Sequence, residues 1–185
     1  MSPLVKVIVT GSECTGKTTL AGELAAHYGT SCSQEFARRY LERQARALTA
    51  ADVEPIARGQ IRAEDAAIAR AHRLVILDTD LVSTVVYARH YYGSCPAWIE
   101  AEARRRLGDL YLLLHPDVAW VADGLQRDRP DLREHVHDAF RATLVGWAAA
   151  VCDVQGTWDE RRATALAAIQ RYLAEPRDSR DLARG

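Results

Sequence analysis

The sequence predicts an α/β fold: a five-stranded parallel sheet with helices on both faces. Three observations predict it. Short apolar, β-branched runs alternate along the chain with longer segments whose apolar residues recur at helical spacing, the pattern of a parallel sheet covered on both sides. The first run ends in a glycine-rich loop that opens a helix, and sites in such sheets gather at the carboxyl ends of the strands. The 185 residues, 48% hydrophobic and 26% charged, suffice for one core without disulfides or structural metal.

The first strand is Leu4-Val5-Lys6-Val7-Ile8-Val9-Thr10, almost continuously apolar. Gly11-Ser12-Glu13-Cys14-Thr15-Gly16-Lys17-Thr18 follows and fits the phosphate-loop pattern G-x-x-x-x-G-K-[ST]. Leu20, Leu24 and Tyr28 then recur at helical spacing. The glycines let backbone N–H groups turn inward around a phosphate, and the helix N-terminus adds its partial positive charge. Lys17 is expected to reach the β- and γ-phosphates of ATP, and the Thr18 hydroxyl to ligate Mg²⁺. The nucleotide-binding candidates run from Gly11 through Thr19, which narrows the fold to a three-layer P-loop NTPase. Lys6 and Lys17 are the only lysines in a chain that otherwise uses arginine. A retained lysine at the loop fits a site where a compact ammonium is needed and a planar guanidinium will not serve.

Thr30–Glu35 reads as the second strand, ending at Glu35. Phe36, Tyr40, Leu41, Ala45 and Leu48 mark a helix, and Thr49-Ala50-Ala51-Asp52 opens the next with a side-chain cap and carries it to about His72. Leu74-Val75-Ile76-Leu77-Asp78 is four aliphatics ending in an acid, the form of a Walker B strand that holds Mg²⁺ through its carboxylate. A helix-capping aspartate is the alternative, and Asp78 and Asp80 can divide the two duties. Leu81–Tyr92 is a mostly apolar helix ended by Gly93, and Pro96 starts another through Leu107. Asp109 to His115 is an apolar strand stopped by Pro116; Leu132, Val136, Phe140, Leu144 and Trp147 mark a long helix. Ala150–Val154 is the last strand and Trp158–Leu173 the closing helix. One domain therefore covers residues 1–174, and the charged stretch 175–185 is a flexible tail.

Between Pro116 and the long helix lies Asp117–Pro130, a charged loop with Arg127 and Arg129 flanking Asp128. It is expected to act as a lid that brings guanidinium charge to the transferring group. The alternative is a solvated loop with Asp128 capping the helix. Arg133 is expected on the helix surface.

A formal net charge of −1 argues against a broad nucleic-acid-binding face. The four cysteines, Cys14, Cys32, Cys95 and Cys152, lack C-x-x-C spacing and read as reduced, mostly buried thiols of a cytoplasmic chain. No apolar run approaches a membrane span, and Met1-Ser2-Pro3 is not expected to open a secretory leader.

Taken together, Gly11 to Thr18, Glu35-Phe36-Ala37-Arg38-Arg39-Tyr40-Leu41, Gly59-Gln60, Asp78-Thr79-Asp80 and Trp120 through Gly124 resemble one family. It is that of the small P-loop kinases related to the ribosylnicotinamide kinase domain of the bacterial NAD-salvage regulator. The resemblance implies transfer of the ATP γ-phosphoryl group to the ribose 5′-hydroxyl of nicotinamide riboside. Read from the residues themselves, Lys17, Glu35, Asp78, Arg127 and Arg129 are the catalytic candidates, with Thr18 and Asp78 for the metal. Glu35, Arg38, Asp80, Trp120 and Asp123 are the acceptor-side candidates. Gln34 stands where some members place an aromatic against the nicotinamide ring, so the base remains open.

Two other functions stay in view: a kinase of another nucleoside or nucleoside monophosphate, and a nucleotide-switched regulatory module. The guanine-specificity stretch N-K-x-D is absent, and Asp78-Thr79-Asp80-Leu81 lacks the switch glycine of D-x-x-G. The expected partner is a small nucleoside, with no nucleic acid and no membrane; the oligomeric state is not readable.

Overall fold

The structure is a computed structural model that describes residues 4–44, 46–119 and 132–175. Five parallel strands form one sheet in the order β2-β3-β1-β4-β5. The strands are β1 (Val5–Gly11), β2 (Cys32–Ser33), β3 (Leu74–Asp78), β4 (Leu110–Leu114) and β5 (Val151–Val154). The helices are α1 (Lys17–Tyr28), α2 (Phe36–Gln44), α3 (Val53–Arg70), α4 (Leu81–Tyr92), α5 (Ala97–Arg105), α6 (Arg133–Gly146) and α7 (Trp158–Ala174). The expected five-stranded P-loop sheet flanked by helices is present.

Strand alternation divides the core in two. Val7 and Val9 of β1, with Ile76, Leu112 and Leu114, face Leu20 and Leu24 of α1 and Ala165 and Ile169 of α7. Ile8, Val75, Leu77, Tyr111 and Leu113 face the other way, against Ala57 of α3, Val85 of α4, Ile99 of α5 and Phe140 of α6. Because successive side chains point to opposite faces, strands buried on both sides read as unbroken apolar runs. Val9 lies beside Asp78 and Gly11 beside Leu114, so the ends of β1, β3 and β4 meet along one edge of the sheet.

The second strand is two residues long, shorter than the Thr30–Glu35 expected. Ser31 and Thr30 spend their hydroxyls on the Ala67 and Leu74 carbonyls, and only Cys32 and Ser33 pair with Ile76 and Leu77. The chain then leaves the sheet to enter α2. The segment from Thr49 also differs from the continuous helix expected. Ala50–Asp52 forms a 3-10 turn closed by a reciprocal capping box between Thr49 and Asp52, and α3 starts after it. Asp52 is buried and bound by both Arg46 guanidinium nitrogens at 2.8 Å, so its carboxyl is held well below the usual range, chiefly by Arg46. All four cysteines are free, and each is half-buried rather than buried. Among the described residues no helix is long and apolar enough to cross a membrane.

Candidate active site

The phosphate loop leaves β1 at Gly11, whose φ is +137°. A Cβ there would sit 2.7 Å from the Leu114 carbonyl oxygen, so the position tolerates only glycine. The loop is held by its carbonyls. The Thr15 hydroxyl donates to the Ser12 carbonyl at 3.0 Å, and the Lys17 ammonium donates to the same oxygen at 2.7 Å. Arg133 reaches the Cys14 carbonyl at 3.3 Å, and Arg161 reaches that of Thr15 at 3.3 Å. In a trans peptide the next N–H points away from the carbonyl before it. Fixing these oxygens therefore directs the amides of Glu13, Thr15 and Gly16 toward the opposite side, where a phosphate would lie. Cys14 takes a left-handed φ of 54°, which bends the loop at that point.

Asp78 closes β3 next to the loop. The Thr18 hydroxyl donates to its Oδ2 at 2.7 Å, and its Oδ1 is buried without a partner. Burial pushes the Asp78 carboxyl up, opposed by the Thr18 hydrogen bond and by the charges of Lys17 and Arg38. A hydroxyl and a buried carboxylate with one unengaged oxygen fit a hard divalent cation.

Asp80 sits two residues on, and its own chain occupies both its oxygens. Oδ1 accepts from the Val82 amide at 3.1 Å and caps α4; Oδ2 accepts from the Tyr111 hydroxyl at 2.6 Å. Burial raises its pKa against these hydrogen bonds.

Glu35 stands at the entry to α2, where Gln60 fixes the backbone. The Gln60 Oε1 accepts from the Phe36 amide at 3.1 Å, and its Nε2 donates to the Thr79 carbonyl at 3.4 Å. One buried side chain thus spans the start of α2 and the turn after β3. Phe36 lies directly over Gly59, where a Cβ would come within 2.0 Å of the ring. Burial is the main cause that raises the Glu35 carboxyl, with Asp78 adding and Lys17 and Arg38 offsetting.

These groups surround one cavity of about 450 Å³, lined by residues 13–19, Glu35, Arg38, Gln60, Asp80 and the tyrosines of α4. Of the predicted residues, Glu13 through Thr19, Glu35, Arg38 and Asp80 line it; Asp78 joins through Thr18. Gly11 and Ser12 are buried at the base of the loop. Arg127, Arg129, Trp120 and Asp123, like most of the Asp117–Pro130 lid, lie outside the described residues, as does 176–185 of the tail.

Arg133 corrects one expectation. It is 5% exposed, not a surface residue, and its guanidinium also donates to the Val118 carbonyl at 3.1 Å. Arg161, the largest fully buried side chain among the described residues, is a member of the site that the sequence does not reveal. It donates to the Gly156 and His115 carbonyls at 2.9 and 3.0 Å and pairs with Asp117. Gln60 belongs to the stretch that carries the family resemblance, and its two hydrogen bonds give it a role that the sequence does not show. Tyr87 and Tyr91, stacked with ring centroids 6.0 Å apart, form an aromatic wall of the cavity. Their four-residue spacing on a helix was the available signal.

The AAA domain family profile matches residues 6–161. The trifunctional NAD biosynthesis/regulator protein NadR of Salmonella typhimurium is 33% identical over 124 residues, 65% of this chain and 30% of that protein. The Escherichia coli NadR matches to the same extent. A crystal structure of NadR in complex with NR superposes with a TM-score of 0.77 at 26% identity, over 93% of this chain and 52% of that one. The chain thus spans about a third of the curated relatives and about half of that solved chain. A deoxyadenosine kinase from M. mycoides shares the fold at TM-score 0.62 and 12% identity, covering 90% of this chain and 99% of that one. The resemblance seen in the sequence is borne out.

Proposed function

The chain belongs to the AAA domain family, and from that footing we propose that it is an ATP-dependent kinase of nicotinamide riboside, forming the mononucleotide. The homology to NadR supports a nucleoside-type kinase. One observation carries the reading furthest: a phosphate loop, a Thr18–Asp78 pair and a separate carboxylate, Glu35, all stand around one cavity.

In this reading residues 11–19 bind the triphosphate and Lys17 bridges its β- and γ-oxygens. Thr18 and Asp78 would hold Mg²⁺, which would supply charge neutralisation on the triphosphate. Glu35 accepts a hydrogen bond from the acceptor 5′-hydroxyl and aims it at the γ-phosphorus. The hydroxyl oxygen forms the new P–O bond, the bond to the β-bridging oxygen breaks, ADP takes that electron pair, and the proton passes to Glu35. Arg127 and Arg129 supply positive charge to the transferring group. Arg38, Trp120 and Asp123 complete the acceptor side, while Asp80, proposed for the acceptor from sequence, has both oxygens engaged by Val82 and Tyr111 and shapes the cavity wall. Tyr87 and Tyr91 offer the flat aromatic contact for the base that exposed Gln34 does not. The reaction is placed in the cytoplasm, with Lys17, Glu35, Asp78, Arg127 and Arg129 as the catalytic set.

The test is ATP turnover with nicotinamide riboside, uridine, thymidine and adenosine offered one at a time. Turnover that requires nicotinamide riboside supports the proposal. Preference for another nucleoside transfers the same machinery to a different acceptor. Hydrolysis indifferent to every acceptor overturns it in favour of a nucleotide switch.

A further inference from the structure

Outside the lining of the phosphate cavity, on the α6 side of the sheet, three potential ligands meet. His115 directly follows β4 and its amide still donates to the Val154 carbonyl at 2.9 Å. Asp153 of β5 pairs with Leu113, so it and His115, two residues further along, share one sheet face. His137 comes from the second turn of α6. The His115 Nε2 and Asp153 Oδ1 lie 3.1 Å apart, and the His115 and His137 ring centroids are 4.3 Å apart. One donor atom from each of the three falls within 4.8 Å of the others.

A second observation points to a ligand. His137 is only 5% exposed, and its Nδ1 is buried with no hydrogen-bond partner. An unpartnered buried imidazole nitrogen costs free energy that a metal bond would recover. We propose that His115, His137 and Asp153 bind a divalent transition-metal ion of the zinc class, with water as the fourth ligand.

The donor chemistry selects the ion. Two imidazoles and one carboxylate suit zinc, whereas magnesium and calcium prefer all-oxygen sets. Bonds of about 2.0–2.1 Å in a tetrahedron put ligand atoms roughly 3.3 Å apart, so the observed spread, at most 4.8 Å, has to close by about 1.5 Å on binding. His115 gives up its bond to Asp153 in doing so. Arg141 already pairs with Asp153 and competes with the ion, which makes the affinity moderate. Cys152 is not part of the set, since it packs on the opposite face of the sheet, against the α1 and α7 side. The ion ties the end of β4 to α6 and so joins the two ends of residues 116–136. This proposal does not depend on the kinase reading.

The test uses the metal-free full chain with excess Mg²⁺ present, titrated with Zn²⁺ against a chromogenic chelator. One zinc per chain is expected, weakened at least about tenfold in His137→Gln and in His115→Gln. His115 is partly exposed, so its variant keeps the test valid should His137→Gln misfold. Arg141→Ala should tighten binding, and Cys152→Ser should leave it unchanged. Cobalt(II) should give a visible spectrum without thiolate-to-cobalt charge transfer. The proposal is overturned if the wild type binds no zinc, if binding survives His115→Gln, or if a thiolate band appears and is lost in Cys152→Ser. In each case the three residues form only a hydrogen-bonded ion-pair cluster.

Discussion

The Gln60 side chain accepts the Phe36 amide at 3.1 Å and gives its own N–H to the Thr79 carbonyl at 3.4 Å. It is buried, and it is the link between the residue following Glu35 and the turn between Asp78 and Asp80. Gln60 is therefore a positioning residue. Gln60→Ala should lower kcat about tenfold or more while changing the KM for ATP much less, since a small displacement of a reacting group is costly. Orphaning the Phe36 amide should also cost about 1–3 kcal/mol of stability. Gln60→Glu keeps the acceptor and loses the donor, so it should recover part of kcat. An unchanged kcat in Gln60→Ala, measured at saturating ATP and acceptor, would refute the positioning role.

Lys17 turns its ammonium onto the Ser12 carbonyl at 2.7 Å within the loop. Lys17→Arg should lose nearly all phosphoryl transfer, because the planar fork cannot replace a compact charge between phosphates. Circular dichroism should show the variant folded. Turnover within a few-fold of the wild type would rule out this role for Lys17.

Glu35 and Asp78 are separable by metal titration. Asp78→Asn should move the Mg²⁺ dependence of the initial rate to higher concentration, because Asp78 has the unengaged buried oxygen beside Thr18. Glu35→Gln should cut kcat and leave the metal curve in place. The reverse pattern would exchange their roles.

Glu64 and Asp80 make stability depend on pH. Burial, then the neighbouring Asp80 charge, pushes Glu64 up to about 7, against its salt bridge with Arg106. With its folded pKa above the ordinary 4.5, the folded state binds the extra proton in the intervening range. That contribution is complete below about pH 4.5 and is lost as pH rises through about 7. Glu64→Gln should therefore gain on the wild type by about 1–3 kcal/mol between pH 5 and 8, at ~1.4 kcal/mol per pKa unit. The measurement is denaturant unfolding of both chains across that range. A constant difference would remove Glu64 as the titrating group.

Local features were legible in the sequence, and long-range ones were not. The span Leu81–Tyr92 was read correctly because a capping aspartate precedes it and Gly93, at φ +75°, ends it. The phosphate loop and β3 were legible because spacing and apolar runs define them. β2 was overextended because its limit lies in side-chain bonds from Thr30 and Ser31 to other elements. Arg133 and Arg161 look like ordinary helix-surface arginines, yet each reaches a loop carbonyl more than a hundred positions earlier. No periodicity encodes that reach. Lys6 shows the limit of arguing from rarity. It is as uncommon in this chain as Lys17, but its ammonium binds the Arg106 carbonyl at 2.9 Å at the far end of the same strand.

The central place of β1 bears on how the chain assembles. Its partners are residues 74–78 on one side and 110–114 on the other. In chain order one edge of β1 stays unpaired until residues 74–78 are made and the other until residues 110–114, about two-fifths and three-fifths of the way along the 185 residues. Parallel pairings at such separation repay their loop-closure entropy only late, so folding should be slow and paced by topology rather than by local helix formation. Gly11 finds its neighbour only when Leu114 arrives. The nucleotide-binding loop, though it follows β1 directly in sequence, is set in place only when a strand about a hundred residues further on has joined the sheet.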